Sequence, residues 1–255
     1  MANFLALRRL GGHRGGAALA FALAFFLSLT AAAAAPCPPS PAIQAEFKPL
    51  PRTAARVAAD GGLRIVTLGS SSTAGVGASS PDMNYPHLLE GELTRRLPGI
   101  AIEVINHGVN GQLAADMVER LYRDAIALDA DLVIWQTGTN DALSRVDLDN
   151  FREQLERGAQ WLGEAGIDLV LVDPQFFPGV RNQASYERYV TVMQEVADGH
   201  GVLLFPRYAI MRHWAISEPA EAVLSEDRFH MNDRGYVCMA ESLAATILRA
   251  IAPPR

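Results

Sequence analysis

The sequence lacks the features that identify several common classes of protein. It has no cluster of lysine and arginine residues, and acidic residues outnumber basic ones by 28 to 22. A protein that binds nucleic acid follows the phosphate backbone with such a cluster, so we expect no nucleic-acid partner. No internal repeat is present, so a repeat architecture is not expected either.

Motifs of other enzyme classes are also incomplete. No lysine follows Gly69 at the spacing of a phosphate-binding loop, and Gly75-Val76-Gly77 lacks the third glycine of a dinucleotide-binding fingerprint. The Gly-x-Ser-x-Gly turn of the α/β-hydrolases does not occur. A nucleotide-binding flavodoxin-like protein therefore has no motif to support it.

Residues 1–35 differ in composition from the rest of the chain. Three arginines precede an apolar segment, residues 17–29, and an alanine run at residues 31–35 follows it. The apolar segment is too short for a comfortable membrane span, so we predict a signal peptide over residues 1–35, with an uncleaved anchor helix as the alternative. Its removal would change the formal net charge from −6 to −9. The mature protein is then exported, periplasmic or secreted, without a stable membrane span.

The chain contains two cysteines, Cys37 and Cys238. Export to an oxidising compartment would allow them to form a disulfide. The alternative is that Cys238 is simply buried in the last helix while Cys37 is free or trimmed away. Oligomeric state is not predicted.

The rest of the chain divides into a spacer and one domain. Residues 36–60 are rich in proline and alanine, which predicts an extended spacer. From residue 61 to residue 253, nearly continuous apolar runs alternate with amphipathic stretches. The predicted strands are residues 63–68, 100–105, 131–136, 167–172 and 202–205, and the predicted helices are residues 87–97, 113–128, 148–164, 185–198 and 232–251. This alternation predicts an α/β domain with a parallel sheet and helices on both faces.

Four polar segments follow the predicted strands: residues 69–73, 106–111, 138–141 and 227–230. The carboxyl ends of parallel strands meet at one edge of the sheet, where reactive groups of such folds lie. We therefore expect these four segments to form one site.

The residue types in these segments indicate acyl transfer. A serine hydroxyl needs an adjacent base to act as a nucleophile, and we choose Ser71, two residues past Gly69, over Ser70 and Ser72. His230 is the candidate base, because Asp227 three residues earlier can fix its tautomer. The alternative for Asp227 is a surface acid that caps another group.

Two further residues are candidates for an oxyanion hole. Gly111 can offer its backbone N–H, together with that of Ser71, and Asn140 can add its side-chain amide. Asn140 could instead form an Asx turn at a strand end. We expect Asp141 to brace this loop, and we assign His107 no role.

These segments resemble the four blocks of the SGNH hydrolase superfamily, the GDSL-type esterases and lipases. Gly138-Thr139-Asn140-Asp141 matches the third block, and the Asp227 and His230 pair matches the last. The first block resembles residues 69–72, with Ser70 in place of the family's aspartate. The resemblance implies a flavodoxin-like three-layer α/β/α sandwich with a five-stranded parallel sheet. It also implies Ser71, Asp227 and His230 as the triad, Ser71, Gly111 and Asn140 as the oxyanion hole, and no metal or organic cofactor.

The resulting hypothesis is an exported serine esterase that hydrolyses carboxylic esters through an acyl-enzyme. Its substrate would be an acyl or acetyl ester of a saccharide, a lipid ester or a thioester. The alternative is a non-catalytic carbohydrate- or cell-envelope-binding domain on the same scaffold, for which Ser70 is the only support.

Overall fold

The computed structural model describes residues 37–38, 40–44, 48–59 and 61–252. Strands and helices alternate along these residues, as the apolar pattern predicted. The strands are β1 (Leu63–Gly69), β2 (Ile102–Gly108), β3 (Leu132–Gln136), β4 (Asp168–Val172) and β5 (Leu203–Phe205). The α-helices are α1 (Pro51–Ala58), α2 (Ser71–Ala74), α3 (Tyr85–Arg96), α4 (Ala114–Asp124), α5 (Thr139–Ser144), α6 (Leu148–Ala165), α7 (Gln183–His200), α8 (Arg207–Ser217) and α9 (Asp233–Ile251).

The five strands form one parallel sheet in the order β2-β1-β3-β4-β5. In its register, Thr67 of β1 lies beside Asn106 of β2 and Ile134 of β3. The strand order changes direction at β1, because β2 follows on one side and β3 on the other. Such a switch point leaves a crevice beyond the carboxyl ends of the strands, and the loops after β1 and β3 border it.

Helices cover both faces of the sheet, so the fold has three layers. On one face Ile65, Ile134 and Val172 pack with buried residues of α3, α8 and α9. On the other face Val66 and Trp135 pack with buried residues of α4, α6 and α7. Because both faces are covered, the strands are apolar at successive positions. The predicted α/β/α sandwich with a five-stranded parallel sheet is confirmed.

The second half of the predicted spacer differs from the structure, because residues 51–58 form helix α1. The carboxylate of Asp168, at the start of β4, accepts hydrogen bonds from Arg52 N (3.0 Å), Thr53 N (2.8 Å) and Thr53 Oγ1 (2.9 Å). This carboxylate satisfies amides of the first helical turn. The sequence around α1 contains no sign of it, since its capping residue is more than a hundred positions away. The predicted signal peptide, residues 1–35, lies outside the described residues.

Cys37 and Cys238 form a disulfide, with 5.3 Å between their Cα atoms. The bond attaches the start of the predicted spacer to α9. The sequence left two interpretations of the cysteines open, and the structure agrees with the one in which they form a disulfide.

Helix α8 was not predicted as a helix. Tyr208, Met211 and Trp214 are all buried in the core between helix and sheet. Their aromatic and apolar side chains therefore serve packing.

Candidate active site

The turn after β1 presents one of its three serines to the solvent crevice. Ser70 and Ser72 are each only 3% exposed, whereas Ser71 is half-buried. Ser70 donates from its backbone N and its Oγ to Gln136 Oε1 (3.2 and 3.3 Å), and Ser72 Oγ donates to Gln175 Oε1 (3.1 Å). Only Ser71 of the three directs its hydroxyl to the imidazole of His230.

Gln136 at the end of β3 braces this turn. Besides Ser70, its Oε1 accepts a hydrogen bond from Thr73 Oγ1 at 3.0 Å. Gly69 allows the tight packing, because a Cβ at this position would lie 2.0 Å from Thr73 Oγ1. A neutral amide oxygen on the neighbouring strand thus holds the turn, where the family pattern has an aspartate beside the nucleophile. Ser70 is therefore part of a complete hydrogen-bond arrangement.

Ser71, His230 and Asp227 form a continuous hydrogen-bonded line. Ser71 Oγ is 2.9 Å from His230 Nε2, and His230 Nδ1 is 2.5 Å from Asp227 Oδ2. The histidine side chain is 15% exposed and the aspartate side chain 45%. The geometry is that of a nucleophile, a base and an acid that orients the base.

The loop that carries Asp227 and His230 is closed on itself. Leu224 and Met231 pair across its base, and Ser225 N donates to His230 O at 2.8 Å. Arg228 at its tip has a φ of 54°, in the left-handed region. This tight turn places an aspartate and a histidine three residues apart against each other.

The surroundings of the Asp227 carboxylate stabilise its ionised form. Partial burial by itself would raise its pKa, but the His230 side chain and the backbone N–H of Phe229 donate to the carboxylate. Further bonds come from Ser225 Oγ (2.7 Å) and the His230 backbone N–H (2.9 Å). Together these bonds hold the pKa of Asp227 below its usual range. An ionised Asp227 keeps the ring proton of His230 on Nδ1, so that Nε2 can accept the serine proton.

The two other predicted site residues lie in adjoining segments. Asn140 Nδ2 donates to the carbonyl of Gln112 at 2.9 Å, and Gln112 directly follows Gly111. This bond shows that the Asn140 side chain faces the Gly111 segment, whereas an Asx turn would direct it to its own backbone. The amide has a second hydrogen available for an oxyanion.

Position 111 requires glycine because of its backbone conformation, and not because a larger side chain would lack room. Its φ is +78°, and no atom outside its chain neighbours lies within 4 Å of the position that a Cβ would take. Neither its N–H nor that of Ser71 donates a hydrogen bond to any of the described residues. Both groups are thus available to a substrate oxygen.

Arg120 ties the ends of β1 and β2 to this segment. Its guanidinium donates to Gly69 O (3.2 Å), His107 O (2.9 Å) and Gln112 Oε1 (2.7 Å). It is 7% exposed and pairs with Asp124 at 2.7 Å. This buried cation therefore positions both the turn that carries Ser71 and the Gly111 loop.

Asp141 and His107 lie beside the site without joining the triad. Asp141 accepts from Ala114 N (3.0 Å) and Gly138 N (3.2 Å), which braces the loop as predicted, and burial raises its pKa. Burial lowers the pKa of the His107 side chain, which lies 3.8 Å from Asp124. No contact joins His107 to Ser71, Asp227 or His230 among the described residues.

Among residues 37–38, 40–44, 48–59 and 61–252, no group of three or more His, Cys, Asp or Glu side chains is arranged to hold a metal ion. The same part of the chain has no helix with the length and hydropathy needed to cross a bilayer.

From the sequence, neither Gln136 nor Arg120 was predicted as a site residue, and Gln175 only as part of residues 174–179, which could line a pocket or pack as a loop. Gln136 ends a buried strand and Gln175 follows another by three residues. A polar residue at the carboxyl end of an apolar strand is a usable indication of a site residue, and it would have found these two. Arg120 lies within an amphipathic helix, where no local pattern distinguishes a buried arginine from an exposed one.

Comparison with known proteins places these features in a family. The family model of the non-GDSL lipase-like family matches residues 36–253. An acetylxylan esterase from Xylanibacter ruminicola is 25% identical over 217 residues, which cover 72% of this chain and 43% of that protein. The chain therefore spans less than half the length of this relative.

Solved structures share the fold. An acetylxylan esterase from Geobacillus stearothermophilus matches with a TM-score of 0.64 and 21% identity, covering 73% of this chain and 94% of that one. A lipase/acylhydrolase from Enterococcus faecalis matches with a TM-score of 0.60 and 26% identity, covering 72% and 95%. The predicted membership of the SGNH hydrolase superfamily is confirmed.

Proposed function

This chain belongs to the non-GDSL lipase-like family, within the SGNH hydrolase superfamily, and we propose that it is an exported serine esterase that removes acetyl or other short acyl groups. The observation that carries the proposal is the line from Ser71 Oγ through His230 to Asp227, with links of 2.9 and 2.5 Å. Hydrogen bonds of this length are ready for proton transfer without rearrangement.

In the first half of the reaction, Ser71 Oγ attacks the ester carbonyl carbon as its proton passes to His230 Nε2. The carbonyl oxygen becomes an oxyanion, which the N–H groups of Ser71 and Gly111 and the amide of Asn140 stabilise. The C–O bond to the alcohol then breaks, and His230 returns the proton to the leaving alcohol. Asp227 stays ionised and stabilises the imidazolium.

In the second half, water attacks the acyl group on Ser71. His230 Nε2 accepts a proton from this water, and a second tetrahedral oxyanion occupies the same hole. The carboxylic acid leaves when His230 protonates Ser71 Oγ. No metal or organic cofactor takes part in this sequence.

Acyl saccharides are the substrate class that we favour. Relatives are named acetylxylan esterases, which supports an acetyl group on a polysaccharide or oligosaccharide. The 45% exposure of the Asp227 side chain fits a shallow site that a bulky alcohol portion can reach. Lipid esters and thioesters are the competing substrates within the same chemistry.

Export is the second part of the proposal. The composition of residues 1–35 is that of a signal peptide. The disulfide between Cys37 and Cys238 supports it, because such bonds persist in oxidising compartments.

The test is hydrolysis of p-nitrophenyl acetate together with labelling by a fluorophosphonate and mapping of the modified residue. We expect turnover by the wild type, loss of turnover in Ser71→Ala, and label on Ser71. Ser217→Ala is the matched control, since this exposed serine of α8 contacts only the backbone of its own helix. Label on Ser70 or Ser72 would contradict the assignment of the nucleophile.

A non-catalytic carbohydrate-binding domain makes the opposite prediction. It requires wild type and Ser71→Ala to be equally inactive while a glycan still binds. Its only support was Ser70, and the hydrogen bonds of Ser70 to Gln136 remove that support.

A further inference from the structure

We infer that Gln175 is a positioning residue that holds the nucleophile, the base and the oxyanion loop in register; this inference rests on the proposed esterase function. Gln175 lies in the loop after β4 and is 1% exposed. Its side chain links two segments that are far apart in the sequence. Oε1 accepts from Ser72 Oγ at 3.1 Å, and Nε2 donates to the backbone carbonyl of Phe229 at 3.0 Å.

The backbone of Gln175 is tied to a third segment. Its N–H donates to Thr139 Oγ1 at 3.1 Å, and its carbonyl accepts from the hydroxyl of Tyr186 at 2.8 Å. Thr139 opens helix α5 and directly precedes Asn140.

Three of the four residues that Gln175 contacts by hydrogen bonds are chain neighbours of site residues. Ser72 follows Ser71, Phe229 precedes His230, and Thr139 precedes Asn140. A single buried residue thus contacts the nucleophile turn, the histidine loop and the oxyanion segment without touching the reacting atoms. Its effect on the chemistry is to set the distances between them.

The chemistry of a primary amide suits this position. The residue must accept a bond from the Ser72 hydroxyl on one side and donate to a carbonyl on the other. A side chain without a donor would leave the partly buried carbonyl of Phe229 without this hydrogen bond, and a side chain without an acceptor would release the hydroxyl of Ser72. Either change would let the Ser71 turn and the His230 loop shift relative to each other.

Glutamate at this position provides a pH-dependent version of the same contact. Burial raises the pKa of a carboxyl group, so a buried glutamic acid is neutral at low pH. The neutral acid can both accept from Ser72 and donate to the Phe229 carbonyl. Once ionised, it has no donor and its negative charge faces the carbonyl oxygen. The contact is therefore present at low pH and is lost as pH rises.

The experiment compares Gln175→Met and Gln175→Glu with the wild type, measuring kcat and KM for p-nitrophenyl acetate and the rate of fluorophosphonate labelling. For Gln175→Met we expect kcat and the labelling rate to fall about 10²-fold, as for a small misplacement of reacting groups, with KM little changed. For Gln175→Glu we expect the ratio of its kcat to that of the wild type to fall as pH rises. Circular dichroism at each pH verifies that the variants are folded.

Tyr189→Phe is the matched control. It removes the hydrogen bond from the hydroxyl of another buried tyrosine of α7, which is 5% exposed, to the carbonyl of Val146, and it leaves every contact of Gln175 in place. We expect a lower melting temperature with unchanged kcat. A purely structural Gln175 would make all three variants less stable and leave kcat of the folded enzyme unchanged at every pH, which would overturn the inference.

Failure of the proposed function has a different outcome. It requires a wild type that neither turns over the ester nor takes up label at Ser71, and the inference falls with it. Equal labelling of wild type and Gln175→Met overturns the role of Gln175 alone and leaves the esterase proposal intact.

Discussion

Replacing Asp227 with asparagine should nearly abolish activity while keeping the shape of the loop. Asp227 Oδ1 accepts hydrogen bonds from Ser225 Oγ and from the backbone N–H groups of Phe229 and His230. An amide NH2 group cannot occupy that position, because it would face two N–H donors. The amide oxygen must therefore stay there, which directs the NH2 group to His230 Nδ1.

This orientation forces the wrong tautomer. Nδ1 of His230 has to accept a hydrogen bond from the new amide, so the ring proton moves to Nε2, which lies 2.9 Å from Ser71 Oγ. A protonated Nε2 cannot accept the serine proton. For a triad held in this tautomer the loss in kcat is about 10⁴-fold. That factor corresponds to about 5 kcal/mol of transition-state stabilisation.

The assay is kcat for p-nitrophenyl acetate, with the melting temperature measured on the same samples. Glu226→Gln is the matched control, because it removes a neighbouring exposed carboxylate that makes no hydrogen bond to His230. We expect the control to keep full activity. If Asp227→Asn retained a tenth or more of the wild-type kcat, the argument from the tautomer would be refuted.

Three further perturbations follow from the structure. Asn140→Ala should lower kcat about 10²- to 10³-fold with little change in KM, because it removes one oxyanion donor; steady-state kinetics measure this. Burial raises the pKa of Asp173 from 3.8 to about 7. Its favourable contribution to stability is therefore present at low pH and lost as pH rises through about 7, so the melting temperature of the wild type should fall relative to Asp173→Asn between about pH 5 and pH 8. Cys37→Ser should lower the free energy of unfolding by about 2–4 kcal/mol, and a reductant should lower the wild type's melting temperature without affecting the variant.

Each of these has an outcome that contradicts it. Asn150→Ala, on the exposed side of α6, is the control for Asn140→Ala, and equal kcat in the two variants would exclude Asn140 from the oxyanion hole. A difference in melting temperature between the wild type and Asp173→Asn that is constant with pH would show that Asp173 does not titrate in the native state. A melting temperature insensitive to reductant would count against the disulfide.

The sequence was sufficient to predict the fold class, because the burial of a strand or helix determines which of its positions are apolar. A strand covered by helices on both faces is apolar throughout, and all five predicted strands lie within two or three residues of the observed ones. The largest difference is at β2, which continues to Gly108 through Asn106 and His107. It is an edge strand with only partly buried side chains, so polar residues occur inside it and the apolar pattern ends too early.

Elements held by distant contacts were not predicted. The carboxylate of Asp168 caps helix α1. The helix follows a proline-rich sequence, which predicted an extended spacer instead. Helix α8 buries one face, but Arg207 lies on that face and Ile216 is 80% exposed on the opposite side, so the pattern of apolar residues does not identify the buried face. In both cases the stabilising partner comes from another part of the chain, where local patterns carry no information.

For the active site, the sequence by itself determined which chemical groups are present and that they follow the ends of parallel strands. The topology of such a sheet brings those ends together, which is why four separated segments could be assigned to one site. Only the tertiary structure decided which of three adjacent serines faces the imidazole, that Cys37 bonds to Cys238, and that Gln136 and Gln175 secure the turn. These depend on atomic contacts, such as the hydrogen bonds of 3.2 and 3.1 Å that Gln136 and Gln175 accept, between residues that are 66 to 201 positions apart. Spacing along the chain does not encode such distances, because packing of the whole domain sets them.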